Sequence, residues 1–540
     1  MKWDICIVGS GAGAGPVAYE LSNKGYNVVV LEKGEYYTEA DFSKDELAIS
    51  RRDFFSPNLE DEFHIIYQKD TFTKEVKRYN SQDGWSFWNG SLVGGSSNLM
   101  SGYFHKLEPV DFKLLSTFGE IEGANISDWP IEYKDLEPYY KMVEDVVGVS
   151  GNSKPFPPLQ ENKVAELFDI SAKALGFKPL RTARAILSKE AFGRGACYYS
   201  NFCGSYPCAS GAKGSSRAAL LNRSKATIIP NAFVYRLEST KTRVTKAHYY
   251  DKKGNSHTIE AKIFVVAAQA IETSRLLLNS KSIYFPNGLA NNSNNVGKNL
   301  IFSGGGSGSG RLWIKDLDKR LQQELLKPGV FFNRSLKEWY VYEKNGKKQK
   351  GGVIDFLFEH QNIISRVLRA SYQDGKLLWG KSLQENIYKE LTQSRVLTFE
   401  VFNDWLATND CYVGIEEGVK DKWGVDVAAI HLYSHKRDQE VGEDLSKKAI
   451  KVLEQMGAKD INYSISQDPP ANLQAGGCRF GDDPKSSVLD KNCKAWELDN
   501  LFVTDASFMP NGGSVPYTWT IYANSFRVAG YISNSLENFS

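Results

Sequence analysis

The stretch from Trp3 to Glu32 constrains this chain more than any other. An apolar run, Ile5 to Val8, breaks into glycines at Gly9, Gly11, Gly13 and Gly15. It then passes through the helix-like Val17-Ala18-Tyr19-Glu20-Leu21 and returns as Val28-Val29-Val30-Leu31. The order is strand, tight turn, helix, second strand. Gly9 and Gly11 occupy the first two positions of G-x-G-x-x-G/A and Ala14 the third, a pattern that lets backbone approach a pyrophosphate at a helix N-terminus. Glu32 closes the second strand, where an acid accepts hydrogen bonds from a ribose diol. The position of this unit at the start of the sequence favours FAD over a nicotinamide.

Composition narrows the class by exclusion. A length of 540 residues predicts about two to four domains. Hydrophobic content of 41% and charged content of 24% are those of an ordinary globular protein. A net charge of +2 predicts no nucleic-acid surface. No run of about 18 apolar residues is present, so no transmembrane helix is expected. The N-terminus enters a strand without a basic and apolar leader, which predicts a cytoplasmic protein. Seven cysteines, an odd number, argue against a disulfide framework.

A second cluster of glycines and hydroxyls follows at Asn89 to Asn98, containing Gly94-Gly95-Ser96-Ser97-Asn98. Small side chains and free N–H groups suit close approach to a flat ring or a phosphate. Further segments keep a fixed order: Asp128-Trp129-Pro130-Ile131, Leu136-Glu137-Pro138-Tyr139-Tyr140, Phe264 to Ala268 with Ile271 to Leu278, Asn295 to Leu300, Gly481 to Pro484, and Asn500 to Ser507. Together these segments resemble the glucose-methanol-choline (GMC) family of flavin oxidoreductases. The resemblance implies an α/β fold in which a Rossmann-like FAD domain is assembled from about 1–105, 215–310 and 465–540. An α+β substrate domain on an antiparallel sheet would come from 106–214 and 311–464, where Gly352 to Phe356 and Leu397 to Val401 read as strands with a charged, helix-prone segment containing Leu377, Leu378 and Leu391 between them; the charged stretch from Lys33 to about Tyr79 reads as an excursion over the nucleotide domain. Cofactor contacts are implied at Gly9, Gly11, Gly13, Ala14, Glu32, Gly94, Gly95, Ser96, Ser97, Asn98, Val234, Ala268, Asp505 and Ala506. The resemblance further implies oxidation of a CH–OH group in a sugar, sugar acid or polyol, with electrons passed to an acceptor other than oxygen.

Cys197, Cys203 and Cys208 fall within twelve residues with the spacing C-x5-C-x4-C. The segment resembles one in large flavoprotein subunits related to gluconate 2-dehydrogenase, some of which carry a [3Fe-4S] cluster there. Thiolates suit such a cluster. A structural loop and a labile redox thiol pair are the alternatives, and zinc lacks a nearby fourth ligand. The same resemblance implies a small subunit and a cytochrome subunit as partners, and an alternative periplasmic location reached by co-export with a partner. Cys6, Cys411, Cys478 and Cys493 read as buried small hydrophobes.

The catalytic segments depart from the family pattern. Alcohol oxidation by hydride transfer needs a base for the hydroxyl proton. Relatives use a histidine in H-x-x-G-T/G and a second histidine or asparagine before the last helix. Here Leu473 stands at the first position and Pro516 at the second. Asn472, Gln474 and Tyr517 are the nearest polar candidates, with Trp519 as a stacking surface. A base from elsewhere, such as His105, His431 or His435, is one solution. A flavoenzyme running different, non-alcohol redox chemistry is another, and a flavin-binding subunit without turnover is a third.

Overall fold

The N-terminal pattern folds as its periodicity demands. In the computed structural model, which describes residues 3–43, 45–47, 52–86, 89–151, 155–327, 331–360, 362–465 and 467–537, Trp3–Val8 is a strand whose last four residues are buried. It pairs in parallel with Val28–Leu31 on one side, Ile5 opposite Val28, and with the end of Ser256–Val266 on the other, Ile5 opposite Ile263. Thr227–Ile229 and Leu501–Val503 extend the parallel part. Such strands are buried on both faces, which is why they read as unbroken apolar runs. Ser256–Val266 also has an antiparallel half: its first residues pair with Val244–Tyr250, which pairs with Phe233–Ser239. The result is a seven-stranded sheet. Helices Gly15–Asn23 and Thr518–Glu537 pack together in its core cluster, with Tyr19 edge-on to Phe526 at 6.4 Å.

The second large sheet has six antiparallel strands: Lys459–Ser464, Gly306–Trp313, Ser394–Asn403, Gly352–Phe358, Arg334–Leu336 and Pro179–Arg181, in that spatial order. Side chains alternate between its faces. Leu312, Ile354, Phe356, Leu397, Phe399 and Val401 form one face, buried against helices Val164–Ala174 and Lys436–Gln455. The long helix presents Val441, Leu445, Ala449 and Val452 to this core, an i, i+3/i+4 stripe. The alternation therefore turns Ser307, Asp355, Thr398 and Glu400 to the opposite face.

Two readings of the sequence change in detail. The charged stretch after Glu35, expected as an excursion over the nucleotide domain, contains the hairpin Ile65–Lys69 and Val76–Asn80. That hairpin joins Tyr412–Lys420 and Asp426–Tyr433 in a four-stranded sheet, with Ile66 opposite Ile430. Its partners lie more than 300 residues away, beyond the reach of any local pattern. The helix-prone segment between the two recognised strands is split into helices Ile363–Ala370 and Gly380–Thr392, and Leu377 lies in a two-residue strand between them.

Candidate functional site

A groove of about 290 Å³ runs from the first strand end to the start of the last helix. Gly9, Gly11, Gly13, Glu32, Gly95, Ser96, Ser97, Val234, Ala268, Asp505 and Ala506 all line it. Two of the turn glycines serve different ends. A Cβ at Gly13 would stand 2.6 Å from the backbone nitrogen of Asp505, so this glycine joins the turn to the C-terminal segment. A Cβ at Gly11 would meet nothing within 4 Å, so this glycine keeps open the space a pyrophosphate would take.

Glu32 is buried, and burial pushes its carboxyl up. Ser10 Oγ donates to it at 2.5 Å and the Gly34 N–H at 2.8 Å, one on each oxygen. The Gly94 N–H in turn donates to Ser10 Oγ at 2.8 Å, which ties the second glycine cluster to the first. Ser10 was not among the expected residues; its place inside the G-S-G turn was the available signal. Gly94, Ala14 and Asn98 stand behind the groove wall. Gly94 adopts φ +96, and Asn98 Nδ2 donates to the carbonyls of Val93 and Gly95, both at 3.0 Å, which shapes the turn that presents Gly95, Ser96 and Ser97.

Asp505 receives four hydrogen bonds. Thr273 Oγ1 and the Gln269 N–H reach Oδ2 at 2.5 and 3.2 Å, and the Ser507 Oγ and N–H reach Oδ1 at 2.5 and 2.8 Å. Burial nonetheless pushes its carboxyl up. Glu272, also at the groove, is held well below the usual carboxylate range: burial opposes ionisation, but Arg275 at 3.3 Å and His64 at 2.9 Å overcome it. The acids at the cofactor groove are thus committed to partners.

Asn472, Leu473, Gln474 and Tyr517 come together at the far end of the groove. Leu473 holds φ +55, a left-handed backbone that costs a non-glycine residue on the order of 1 kcal/mol. The Tyr517 hydroxyl donates to the Leu473 carbonyl, and Gln269 donates to the Gln474 side chain. Gln269, with φ +84, also caps the helix Ala270–Asn279. Tyr517 is buried, and burial raises its hydroxyl well above the usual range. Asn472, Gln474 and Tyr517 therefore offer hydrogen bonds and no base. Trp519 does not face the groove: it stacks on Phe104 at 5.5 Å and donates to the Tyr140 carbonyl.

The loop carrying Pro516 is anchored from behind by a charge cluster that sequence reasoning missed. Lys350 Nζ lies 2.6 Å from Ser514 Oγ, 2.9 Å from Asp111 and 3.6 Å from Asp404. Burial pushes the Asp404 carboxyl up, with Lys350 opposing and Asp111 adding to the rise. These residues are scattered along the chain, and no spacing announces them.

None of the seven histidines, all of which are described, lines the groove. His431 is stacked between Tyr67 and Tyr412 at 4.6 and 4.0 Å. His435 caps the helix Lys436–Gln455 and bonds the Glu122 carbonyl. His105 is paired with the buried Asp355 at 2.9 Å.

Cys197, Cys203 and Cys208 pack into one apolar cluster with Phe156, Leu187 and Phe331. Burial pushes the Cys197 thiol up to about 12. Among the described residues no three His, Cys, Asp or Glu side chains are grouped closely enough to hold a metal ion. Lys213 ties this loop to the cofactor turn by donating to the carbonyls of Asn98, Cys203 and Tyr206. Cys6, Cys411, Cys478 and Cys493 are buried free thiols, as expected.

A parallel sheet ending in a glycine turn, a buried acid at the second strand and a groove lined by both define a dinucleotide-binding fold. Two GMC oxidoreductase family models match residues 63–302 and 407–525, and the chain belongs to that family. Its members bind FAD, and the groove residues named above fit that cofactor. The chain is 28% identical to 2-methyl-1,2-propanediol dehydrogenase from Mycolicibacterium austroafricanum, covering 99% of this chain and 96% of the relative. It is 26% identical to the fructose dehydrogenase large subunit from Gluconobacter japonicus, covering 99% and 98%. In solved structures, pyridoxine 4-oxidase from Mesorbium loti superposes with a TM-score of 0.61 at 17% identity over 99% of both chains. A formate oxidase from Aspergillus oryzae superposes at 0.66 and 15% identity, over 100% of this chain and 99% of the other. The protein is a flavin-dependent oxidoreductase acting on CH–OH donors. Among the described residues no helix is long and apolar enough to cross a membrane.

Proposed function

We propose that the chain oxidises a hydroxyl of a sugar, sugar acid or polyol and passes the electrons to a carrier other than oxygen. The observation that carries this reading is full-length similarity to a diol dehydrogenase and a fructose dehydrogenase subunit. The polar face of the six-stranded sheet, with Ser307, Thr398 and Glu400, supports a hydroxylated donor. Bound FAD would supply the hydride acceptor. The glycine turn and Glu32 would hold its pyrophosphate and ribose, and Asn472, Gln474 and Tyr517 would fix the donor. Anaerobic mixing of flavin-loaded protein with sugars, sugar acids and polyols tests this: bleaching of the flavin band by one of these donors is expected. If dithionite bleaches the flavin and no alcohol does, the reading is wrong. Leu473 and Pro516 favour a second reading, a non-alcohol redox reaction on the same fold.

One relative is named as a large subunit, which supports a partner subunit as electron acceptor. A three-iron cluster on Cys197, Cys203 and Cys208 is supported by their spacing and by the apolar cluster they share, although among the described residues the three thiols are not grouped closely enough to hold a metal ion. Iron and acid-labile sulfide analysis of anaerobically purified protein tests it; less than one iron per chain removes it.

A further inference from the structure

We infer that Gln269 is a positioning residue that fixes Gln474 as a hydrogen-bond donor to an oxygen of the substrate. This assignment rests on the CH–OH reading above and deepens it, giving a groove with Leu473 and Pro516 in place of the expected base a way to hold a hydroxylated donor. Both glutamines line the groove. Gln269 holds φ +84 and ψ 150, a backbone conformation that glycine adopts freely and that any side chain makes costly. Such a residue persists only where its surroundings hold it, and Gln269 is held at every polar atom. Its N–H donates to Asp505 Oδ2 at 3.2 Å, and its carbonyl accepts from the Thr273 N–H at 2.7 Å. Its side-chain Oε1 accepts from the Ile271 and Glu272 N–H groups at 3.0 and 3.4 Å, which caps the helix Ala270–Asn279.

These bonds settle the orientation of both amides. With Oε1 of Gln269 turned to two N–H groups, its Nε2 is the atom that reaches Gln474, and it donates to Gln474 Oε1. Gln474 Nε2 is thereby left as a donor, and one of its hydrogens goes to the Ala471 carbonyl at 2.6 Å. One hydrogen on each amide nitrogen has no acceptor among the described residues. The pair therefore offers N–H groups to the groove, and Gln474 is buried, which strengthens any bond it makes there. A donor of this kind selects an oxygen, the atom that sugars, sugar acids and polyols carry on nearly every carbon, and rejects an analogue that leaves it unpaired.

The backbone around Gln474 is held independently of Gln269. Ala475 and Ile301 exchange both hydrogen bonds at 2.8 Å, the Gly476 N–H donates to the Ala506 carbonyl at 3.1 Å, and the Tyr517 hydroxyl donates to the Leu473 carbonyl. Loss of the Gln269 amide thus frees the Gln474 side chain and leaves the segment in place. Glycine at 269 relieves the backbone and weakens the helix cap only slightly, so Q269G should melt at or above the wild-type temperature.

The test uses the full-length, FAD-loaded protein with its Q269G, Q474A and double variants, and the sugars, sugar acids and polyols of the panel as probes. In anaerobic flavin reduction by the best donor, Q269G and Q474A should each raise the apparent dissociation constant of that donor about tenfold and leave the limiting rate within about threefold of wild type. Because Gln269 acts through Gln474, the double variant should lose no more than Q474A alone. The preference for the donor over its deoxy analogues should shrink at one carbon position, the same in both single variants. A double variant weakened by about 100-fold, the product of two separate effects, overturns the inference. A Q269G enzyme with a clearly lowered melting temperature assigns the glutamine to the fold and overturns it too. Wild-type donor affinity in Q269G does the same and leaves the CH–OH reading intact; a shifted flavin midpoint potential with that affinity unchanged would give the N–H groups to the cofactor instead. If no alcohol bleaches the wild-type flavin, the CH–OH reading fails and the inference falls with it.

Discussion

The two large sheets arrange their polar groups in opposite ways. At the groove above the parallel sheet three acids are saturated: Glu32 by Ser10 and Gly34, Asp505 by Thr273, Gln269 and Ser507, and Glu272 by His64 and Arg275. On the antiparallel sheet Asp355 keeps an orphan oxygen and Glu400 an open carboxylate. Holding a cofactor requires a wall that does not rearrange, so its donors and acceptors are already spent. Two carboxylates side by side without shared donors instead raise one another's pKa.

The strongest way to break this contrast is at the turn. Gly13→Ala would drive a methyl against the Asp505 backbone and should leave no soluble, folded protein, whereas Gly11→Ala should fold and lose FAD affinity about 100-fold. Thermal melts and the ratio of flavin to protein absorbance separate the two outcomes, and equal behaviour would contradict the assigned division of labour. Next in size is Lys350→Met. Removing the cation from between Asp111 and Asp404 should cost about 3–5 kcal/mol, read as a drop in urea midpoint with unchanged slope. An unaltered midpoint would mean that the cluster does not hold the Pro516 loop. Glu32→Gln keeps the Ser10 contact but removes a charged acceptor, and FAD affinity should fall about tenfold, about 1.4 kcal/mol, by fluorescence titration.

The smallest effect sharpens the comparison from the other sheet. The folded Glu400 carboxyl lies above its unfolded value of about 4.5, so between about 4.5 and 7 the folded state binds more protons. Stability from this group is complete at the acid end and is lost as pH rises through 7. Glu400→Gln should therefore raise the melting temperature at pH 8 and leave it unchanged at pH 4; solvent contact keeps the gain modest. A melting temperature lowered at pH 8 would show that the open carboxylate is not under repulsion.

Much of the cofactor side was legible in the sequence because it is built from contiguous runs. Gly9 to Gly13, Glu32 and Gly95 to Ser97 are local patterns whose spacing carries their geometry, and the groove collects them. The limits of that reading appear at Ser10 and Gln269, single polar residues whose partners are distant. On the antiparallel sheet, alternation revealed Gly352 to Phe356 and Leu397 to Val401 as strands but not which residues they would oppose. His105 was one of three candidate histidines, and no local feature distinguished it from His431, which stacks on tyrosines, or His435, which caps a helix.

The sequence by itself determined the parallel sheet, the phosphate turn, the family and the absence of the expected base at Leu473 and Pro516. These depend on residues near one another in the chain, where steric rules and periodicity act. The tertiary structure alone decided that Asp355 faces Glu400 and His105, that Lys350 is clamped between Asp111 and Asp404, and that the three loop cysteines do not converge. Each of these depends on strand register or on loop packing across tens to hundreds of residues. A register shift by one residue would turn Glu400 into the core, and no single-residue preference encodes that choice.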